Sequence, residues 1–178
     1  MKGKLAALAL LTTVGISSTA FADDGTVNFT GNIIEAGCQV NSSIASPMTV
    51  KLGDVAKTDF AAAGDTAANT KFTLVLTNCP AELDGKQVVV KYDGTPNATD
   101  NDYLELTNAG GTGVATGVAI QLLNGDGSAL PLGTDSKGTT VKASGDTSLD
   151  FFARYIATNA TVAAGSANGT VNFTLAYN

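Results

Sequence analysis

The side chains best suited to chemistry in this 178-residue chain are two cysteines and sixteen carboxylates. Histidine is absent, so neither a Ser-His-Asp nor a Cys-His nucleophile can be assembled. A carboxylate pair alone can hydrolyse a glycoside, but such a site normally has aromatic rings for sugar stacking. The chain has no tryptophan, four tyrosines and seven phenylalanines. We therefore expect that this protein is not an enzyme.

Metal and cofactor sites are also poorly supported. Asn124, Asp126 and Ser128 have the spacing that opens a calcium loop, but Ala129 stands where the loop needs glycine and no glutamate closes it. The acidic stretch 100–102 is more typical of a solvated loop. No phosphate-binding or dinucleotide fingerprint is present. We expect no metal and no cofactor.

The first residues have the pattern of a secretory signal peptide. Lys2 and Lys4 precede a mostly apolar stretch over residues 5–16, and Ala20-Phe21-Ala22 has the small residues that signal peptidase requires. This predicts a signal peptide over residues 1–22. No later apolar stretch approaches the roughly 20 residues that span a bilayer, so we expect no direct membrane insertion.

The predicted export changes the net charge of the mature chain and places its two cysteines in an oxidising compartment. Loss of Lys2 and Lys4 leaves eight basic and sixteen acidic residues, a net charge of −8, and this disfavours nucleic acid as a partner. Cys38 and Cys79 form an even pair in an oxidising compartment, which favours a disulfide over a metal site. The bridge would close a loop of about 40 residues and contribute about 4 kcal/mol in the chain-entropy account.

The apolar pattern predicts an all-β sandwich. Short apolar runs are separated by Gly, Asn, Asp and Thr clusters, and helical periodicity is almost absent. Candidate strands cover 26–29, 72–76, 88–90, 103–106, 117–122, 149–157 and 170–177, within the range of about seven to nine strands in an immunoglobulin-like sandwich. The one helix candidate is 59–63, and the stretch 124–127 predicts a hairpin turn.

The hexapeptide GTVNFT occurs twice, at residues 25–30 and 169–174. The C-terminal copy extends into an alternating strand with four apolar residues on one face: Val171, Phe173, Leu175 and Tyr177. No hairpin returns after this strand. If it is the penultimate strand of the sandwich, the last strand is missing and a hydrophobic groove stays open, which proteins normally cover.

The N-terminal copy is the natural candidate to fill that groove. Val27, Phe29, Gly31 and Ile33 alternate with polar residues, and Gly31 allows close backbone approach. The residues leave open whether the filling occurs within one molecule or between two.

Several features occur in a specific order along the chain. They are the signal peptide, the Val27-x-Phe29-x-Gly31-x-Ile33 alternation, Cys38, Cys79 after an apolar strand, Phe152-Ala153-Arg154-Tyr155, Gly165 and the penultimate Tyr177. Together they resemble the chaperone–usher fimbrial subunits of the type 1 kind, over the whole mature chain.

The resemblance implies an incomplete immunoglobulin-like β-sandwich that lacks its final strand and is completed by donor-strand exchange. It implies a signal peptide (1–22), a donor-strand extension (23–36) and a pilin domain (37–178). The donor residues would be Val27, Phe29, Gly31 and Ile33. The groove and chaperone contacts would be Gly165, Val171, Phe173, Leu175 and Tyr177. Cys38 and Cys79 would tie the first strand to the second.

The expected function is that of a structural subunit of a surface fimbria that supports adhesion. The implied partners are neighbouring copies of the same or related pilins, a periplasmic chaperone and an outer-membrane usher, and the implied route leads through the periplasm to the cell surface. Two alternatives stay open: a minor or adaptor pilin, and a self-completed secreted binding domain similar to an adhesin.

Overall fold

The structure is a computed structural model that describes residues 26–31, 33 and 37–178. The predicted signal peptide lies outside the described residues. The chain divides into two units, Met1–Ile33 and Ile34–Asn178. In the described part of the first unit, residues 26–31 and 33 adopt no regular secondary structure.

The regular secondary structure of the described residues in the second unit is almost entirely β-strand. In chain order they are β1 (Gln39–Val40), β2 (Thr66–Thr77), β3 (Gln87–Asp93), β4 (Val118–Asn124), β5 (Thr139–Thr140), β6 (Thr147–Ala157) and β7 (Asn172–Tyr177). Two single-turn 3-10 helices cover Lys57–Asp59 and Ala81–Leu83. Within the described residues, no helix is long and apolar enough to span a membrane.

The strands form two sheets. One has the order β1-β2-β6-β4 and the other β5-β3-β7, and every ladder is antiparallel. The core lies between them, where Tyr92 of β3 meets Phe151 of β6 edge to face at 5.3 Å between ring centroids. Leu76, Val88 and Val90 from the two sheets are fully buried beside them. The prediction of an all-β sandwich is confirmed.

Three local predictions have different outcomes. The turn at 124–127 is present, because Leu130 N–H donates to Leu122 across the hairpin at 2.9 Å and Gly127 has φ of +82°. The strand predicted at 103–106 is wrong in extent, since only Leu104 makes bridges, to Pro96 and Ile120. The helix predicted at 59–63 is also wrong.

The failed helix prediction has a local cause. Helical geometry there is limited to the 3-10 turn Lys57–Asp59. The Asp65 carboxylate accepts hydrogen bonds from the backbone N–H groups of Ala61 and Ala62, both at 2.7 Å. These bonds give the Ala61–Ala62 backbone a partner outside a helix, and side chains such as Asp commonly compete with helix formation in this way.

Candidate functional site

One side of the sandwich is open where the edge strands of the two sheets meet. Among the strands of the described residues, β7 pairs only with β3 and β1 pairs only with β2, so each is the last strand of its sheet. The Tyr177 hydroxyl at the end of β7 accepts a hydrogen bond of 3.2 Å from the N–H of Cys38, next to β1. The two edges therefore lie side by side without a ladder between them in the described chain.

No described residue hydrogen-bonds to the backbone groups on the outer edge of β7. Gln87 and Asn178 exchange both of their backbone hydrogen bonds, which sets the alternation along the β3–β7 ladder. By this alternation, the N–H and C=O groups of Ala176 and Thr174 face β3 and bond to it. The N–H and C=O of Leu175, which lies between them, face away from β3. The outward groups belong to the same residues that carry the apolar side chains: Phe173, Leu175 and Tyr177.

Those apolar side chains are only half covered. Opposite each of them on β3 stands a residue that is at most 2% exposed, in the pairs Phe173–Tyr92, Leu175–Val90 and Tyr177–Val88. The β7 partners are all of intermediate burial, as is Val171 just before the strand. Half burial of a whole apolar row, beside a row that is fully buried, is the mark of a core that lacks one covering element.

The opposite wall of this groove is the segment 38–55. Its half-buried residues pack against the core: Cys38, Val40, Met48, Leu52 and Val55. At one end of the segment, Gly37 lies under the Tyr177 ring, with the hydroxyl 3.5 Å from where a Cβ would stand. The disulfide between Cys38 and Cys79 fastens this end to the neighbouring β2. The predicted bridge between the first two strands is therefore present.

The other end of the groove opens into a cavity of about 280 Å³. It is lined by residues 53–55 from one wall and 162–168 from the other, with Tyr155 on its floor. The Tyr155 hydroxyl donates a hydrogen bond of 2.9 Å to the carbonyl of Ala167, which holds the second wall in place. Burial, and secondarily the charge of Asp54, raise the pKa of Tyr155, so the hydroxyl stays a donor.

Gly165 lines this cavity, but its closest contacts are with the backbone of residues 113–115. A Cβ on Gly165 would stand 2.5 Å from both Ala115 N and Val114 C. The backbones meet there because Ala115 N–H donates to Ser166 at 3.0 Å and Ser166 N–H donates to Gly113 at 2.8 Å. The glycine is thus required for docking the 162–168 wall onto the segment 113–115.

Comparison with known proteins shows the family to which this chain belongs. The family model described as "Fimbrial protein" matches residues 27–178. The chain belongs to the fimbrial protein family. The type-1 fimbrial protein subunit of Serratia marcescens is 34% identical, with 99% of both chains covered. Long polar fimbria protein A of Salmonella typhimurium is also 34% identical, covering 99% of this chain and 97% of the relative.

Solved structures of fimbrial proteins have the same fold. A type I fimbria protein of Burkholderia pseudomallei is 38% identical with a TM-score of 0.61, over 86% of this chain and 97% of that one. The P pilus rod subunit, 22% identical with a TM-score of 0.64, covers 80% of this chain and all of its own. The chain is therefore a structural fimbrial subunit with an immunoglobulin-like fold, and its family is one of structural proteins.

The N-terminal residues of this fimbrial subunit carry large apolar side chains in full contact with solvent. Val27 is 76% exposed, Phe29 is 92% exposed and Ile33 is completely exposed. No atom lies within 4 Å of where a Cβ on Gly31 would be. Three exposed apolar side chains in one short stretch are unusual for a secreted protein, and the donor role assigned to them remains a prediction.

The stretch that resembles a calcium loop has its carboxylate occupied by protein groups. Asp126 forms an ion pair with Lys137 and accepts hydrogen bonds from the Ser128 N–H and hydroxyl, at 3.0 and 2.7 Å. Lys137 first, and then Ser128, hold the pKa of Asp126 well below its usual range. Within the described residues, no group of three or more acidic, Cys or His side chains is arranged to hold a metal.

Sequence reasoning missed one wall of the groove. Met48, Val50 and Leu52 alternate with exposed residues, and all three are of intermediate burial in an extended segment that joins neither sheet. The sequence indicates this wall by apolar residues that alternate with a period of two. The alternation is short and follows Pro47, and none of the predicted strands included it.

The buried hydroxyl of the core residue Tyr92 leads to a stability prediction. The Tyr92 hydroxyl has no hydrogen-bond partner among the described residues, and an unpaired buried hydroxyl costs about 1 to 3 kcal/mol. We expect Tyr92→Phe to raise the free energy of unfolding by about 1 kcal/mol, measured by urea unfolding. The matched control is Tyr155→Phe, which removes a hydroxyl that is bonded to Ala167 and should lower stability by a similar amount.

Tyr92→Phe should also change how the free energy of unfolding depends on pH. Burial raises the pKa of Tyr92, so the folded chain keeps its proton after the unfolded chain begins to lose it near pH 10. The stability gained from this group is full below about pH 10 and is lost as the pH rises further. Tyr92→Phe should weaken this alkaline loss, and an unchanged alkaline profile would contradict the assignment.

Proposed function

We propose that this fimbrial subunit polymerises head to tail by inserting its N-terminal segment into the open groove of the next copy. The observation that carries the proposal is the edge of β7, where one row of residues has half-buried apolar side chains and backbone groups that no described residue pairs with. An extended peptide satisfies both needs at once by adding a strand to the sheet.

The N-terminal segment has the chemistry that such a groove requires. Val27, Phe29 and Ile33 are exposed apolar side chains at a period of two, so all three can face one surface of an added strand. Gly31 lies between them, where the absence of a side chain lets the backbone approach the groove closely. Their exposed area is then buried in the joint.

The joint is of the kind that builds a filament. Each subunit has a donor segment at one end of its chain and an acceptor groove at the other, so the contact surfaces of two neighbours are different. A heterologous contact of this kind leaves a free donor and a free groove after every addition, and growth continues until a different subunit ends it.

An unfilled groove must also be protected before assembly. An edge strand with free backbone groups and an apolar row promotes aggregation. We propose that a periplasmic chaperone covers this groove after export, and that an outer-membrane usher exchanges the chaperone for the incoming donor. The contacts proposed for the donor strand and for the chaperone are Gly165, Val171, Phe173, Leu175 and Tyr177.

The proposal is tested with one variant that lacks a donor and another that lacks an acceptor. The first is deletion of residues 23–33. The second is Leu175→Pro, which removes the outward N–H of the edge strand at a position where proline is tolerated. Neither variant alone should form fibres. Mixed together, they should form one joint and stop at a heterodimer, measured by size-exclusion chromatography with light scattering.

Two controls make the result specific. Leu175→Ala keeps the N–H and shortens only the side chain, so it should polymerise more weakly but still form fibres. Circular dichroism checks that Leu175→Pro remains folded. Long fibres from the deletion variant alone would refute the donor role, and a wild-type monomer whose N-terminus resists protease would favour a self-completed domain.

A further inference from the structure

We infer that Asn168 is a site of spontaneous deamidation, and that its conversion to aspartate or isoaspartate disables the acceptor groove of a subunit left unassembled. The chain contains two Asn-Gly dipeptides, Asn124-Gly125 and Asn168-Gly169. Glycine after asparagine favours the reaction because it has no side chain to hinder ring closure. The fold treats the two sites very differently.

Asn124 is locked by hydrogen bonds. Its side-chain oxygen accepts from the N–H of Lys137 at 2.9 Å, and its amide nitrogen donates to the Ser128 hydroxyl at 3.2 Å. The residue is 6% exposed. Its carboxamide therefore cannot turn toward the following backbone nitrogen without breaking buried hydrogen bonds, which costs free energy.

Asn168 has none of these restraints. The residue is exposed and lies on the wall of the groove cavity. Within residues 37–178 its side chain makes no hydrogen bond, and the N–H of Gly169 donates none. Only the Asn168 carbonyl is fixed, by the N–H of Thr107 at 2.7 Å. Among residues 37–178, no hydrogen bond therefore restrains the attacking nitrogen or the carboxamide.

The chemistry needs only solvent water. The backbone nitrogen of Gly169 loses its proton and attacks Cγ of Asn168, a new N–Cγ bond closes a succinimide ring, and the amide nitrogen leaves as ammonia. Water then opens the ring at one of its two carbonyls. Opening at one carbonyl gives aspartate, and opening at the other gives isoaspartate, in which the main chain runs through the former side chain. No electron is transferred.

The position of the site gives the reaction a consequence. Residues 168–171 lead directly into β7, so isoaspartate lengthens the backbone just ahead of Val171 and shifts the start of the apolar row. Aspartate instead places a new negative charge in the cavity that Asp54 already lines, where like charges repel. Both products should weaken insertion of an apolar donor strand. This consequence rests on the proposed function, whereas the choice of Asn168 does not.

The site assignment is tested by incubating the full mature chain in mildly alkaline buffer and following both dipeptides by peptide mass spectrometry. We expect the Asn168 peptide to convert at least tenfold faster than the Asn124 peptide. In denaturant the two rates should become similar, which shows that the fold protects Asn124. Equal rates in the folded protein, or faster conversion at Asn124, would overturn the inference.

A second measurement separates the site from the groove function. A synthetic peptide of residues 23–36 is added to a chain lacking residues 23–33, and the Asn168 rate is measured again. Occupation of the groove should slow conversion severalfold, and Asn168→Asp should weaken peptide binding relative to Asn168→Gln. If the peptide neither binds nor slows the reaction, while Asn168 still converts first, the proposed function fails and the site assignment stands.

Discussion

Gly165→Ala is expected to lower the free energy of unfolding by about 3 kcal/mol. The added methyl group would stand 2.5 Å from Ala115 N and from Val114 C, and both are backbone atoms that cannot move aside as a flexible side chain would. Relief requires the wall 162–168 to lift away from 113–115, which breaks the hydrogen bonds of Ser166.

The measurement is urea unfolding followed by fluorescence or circular dichroism. Gly145→Ala is the matched control, because nothing lies within 4 Å of a Cβ at that position and the change should leave stability nearly unaltered. The result also separates two roles for Gly165. If Gly165→Ala keeps wild-type stability but loses binding of the donor peptide, the glycine acts by direct contact with the incoming strand, and the packing role is wrong.

Removing the disulfide is expected to cost about 4 kcal/mol of stability. The paired substitution Cys38→Ser with Cys79→Ser opens a loop with a sequence separation of 41, so the unfolded chain gains conformational freedom. It also frees the end of the groove wall, because residue 38, whose backbone N–H donates to Tyr177, is then no longer tied to residue 79. The chain should therefore lose donor-peptide binding at denaturant concentrations where the oxidised protein still binds.

Tyr177→Phe separates these two effects. It removes the hydrogen bond with Cys38 but keeps the bridge, and should cost about 1 kcal/mol. Unfolding midpoints of both variants, and of wild type with and without a reducing agent, provide the comparison. If wild-type stability is the same before and after reduction, the bridge does not stabilise the fold and the predicted cost is wrong.

Much of this architecture was predictable because its signals are local. The β7 alternation at Phe173, Leu175 and Tyr177 has a period of two that specifies a strand with one apolar face. The turn at 124–127 has the residues that positive φ angles need. The disulfide follows from two cysteines in a chain with a predicted signal peptide. Each inference requires only neighbouring residues or the composition.

The features that were not predictable depend on contacts between distant segments. Nothing near Gly165 in the sequence shows that its Cα must pack on the backbone of residues 113–115. The half-buried wall at 48–52 belongs to neither sheet, so its role depends on where β7 lies. The missing partner of the Tyr92 hydroxyl is likewise a property of the packed core. The donor, groove and chaperone roles of individual residues remain predictions.

The β3–β7 ladder also determines how the joint would respond to pulling. In the proposed joint, a donor strand hydrogen-bonded along β7 would run along the strand axis, so a pull on the donor along its own length would load its hydrogen bonds to β7 in shear. The β3–β7 bonds from Gln87–Asn178 to Asp93–Asn172 would share this load as it passes into the sheet, whereas a force across the strands would open them one pair at a time. If the proposed joint forms, the β7 edge would therefore bear load along its strands.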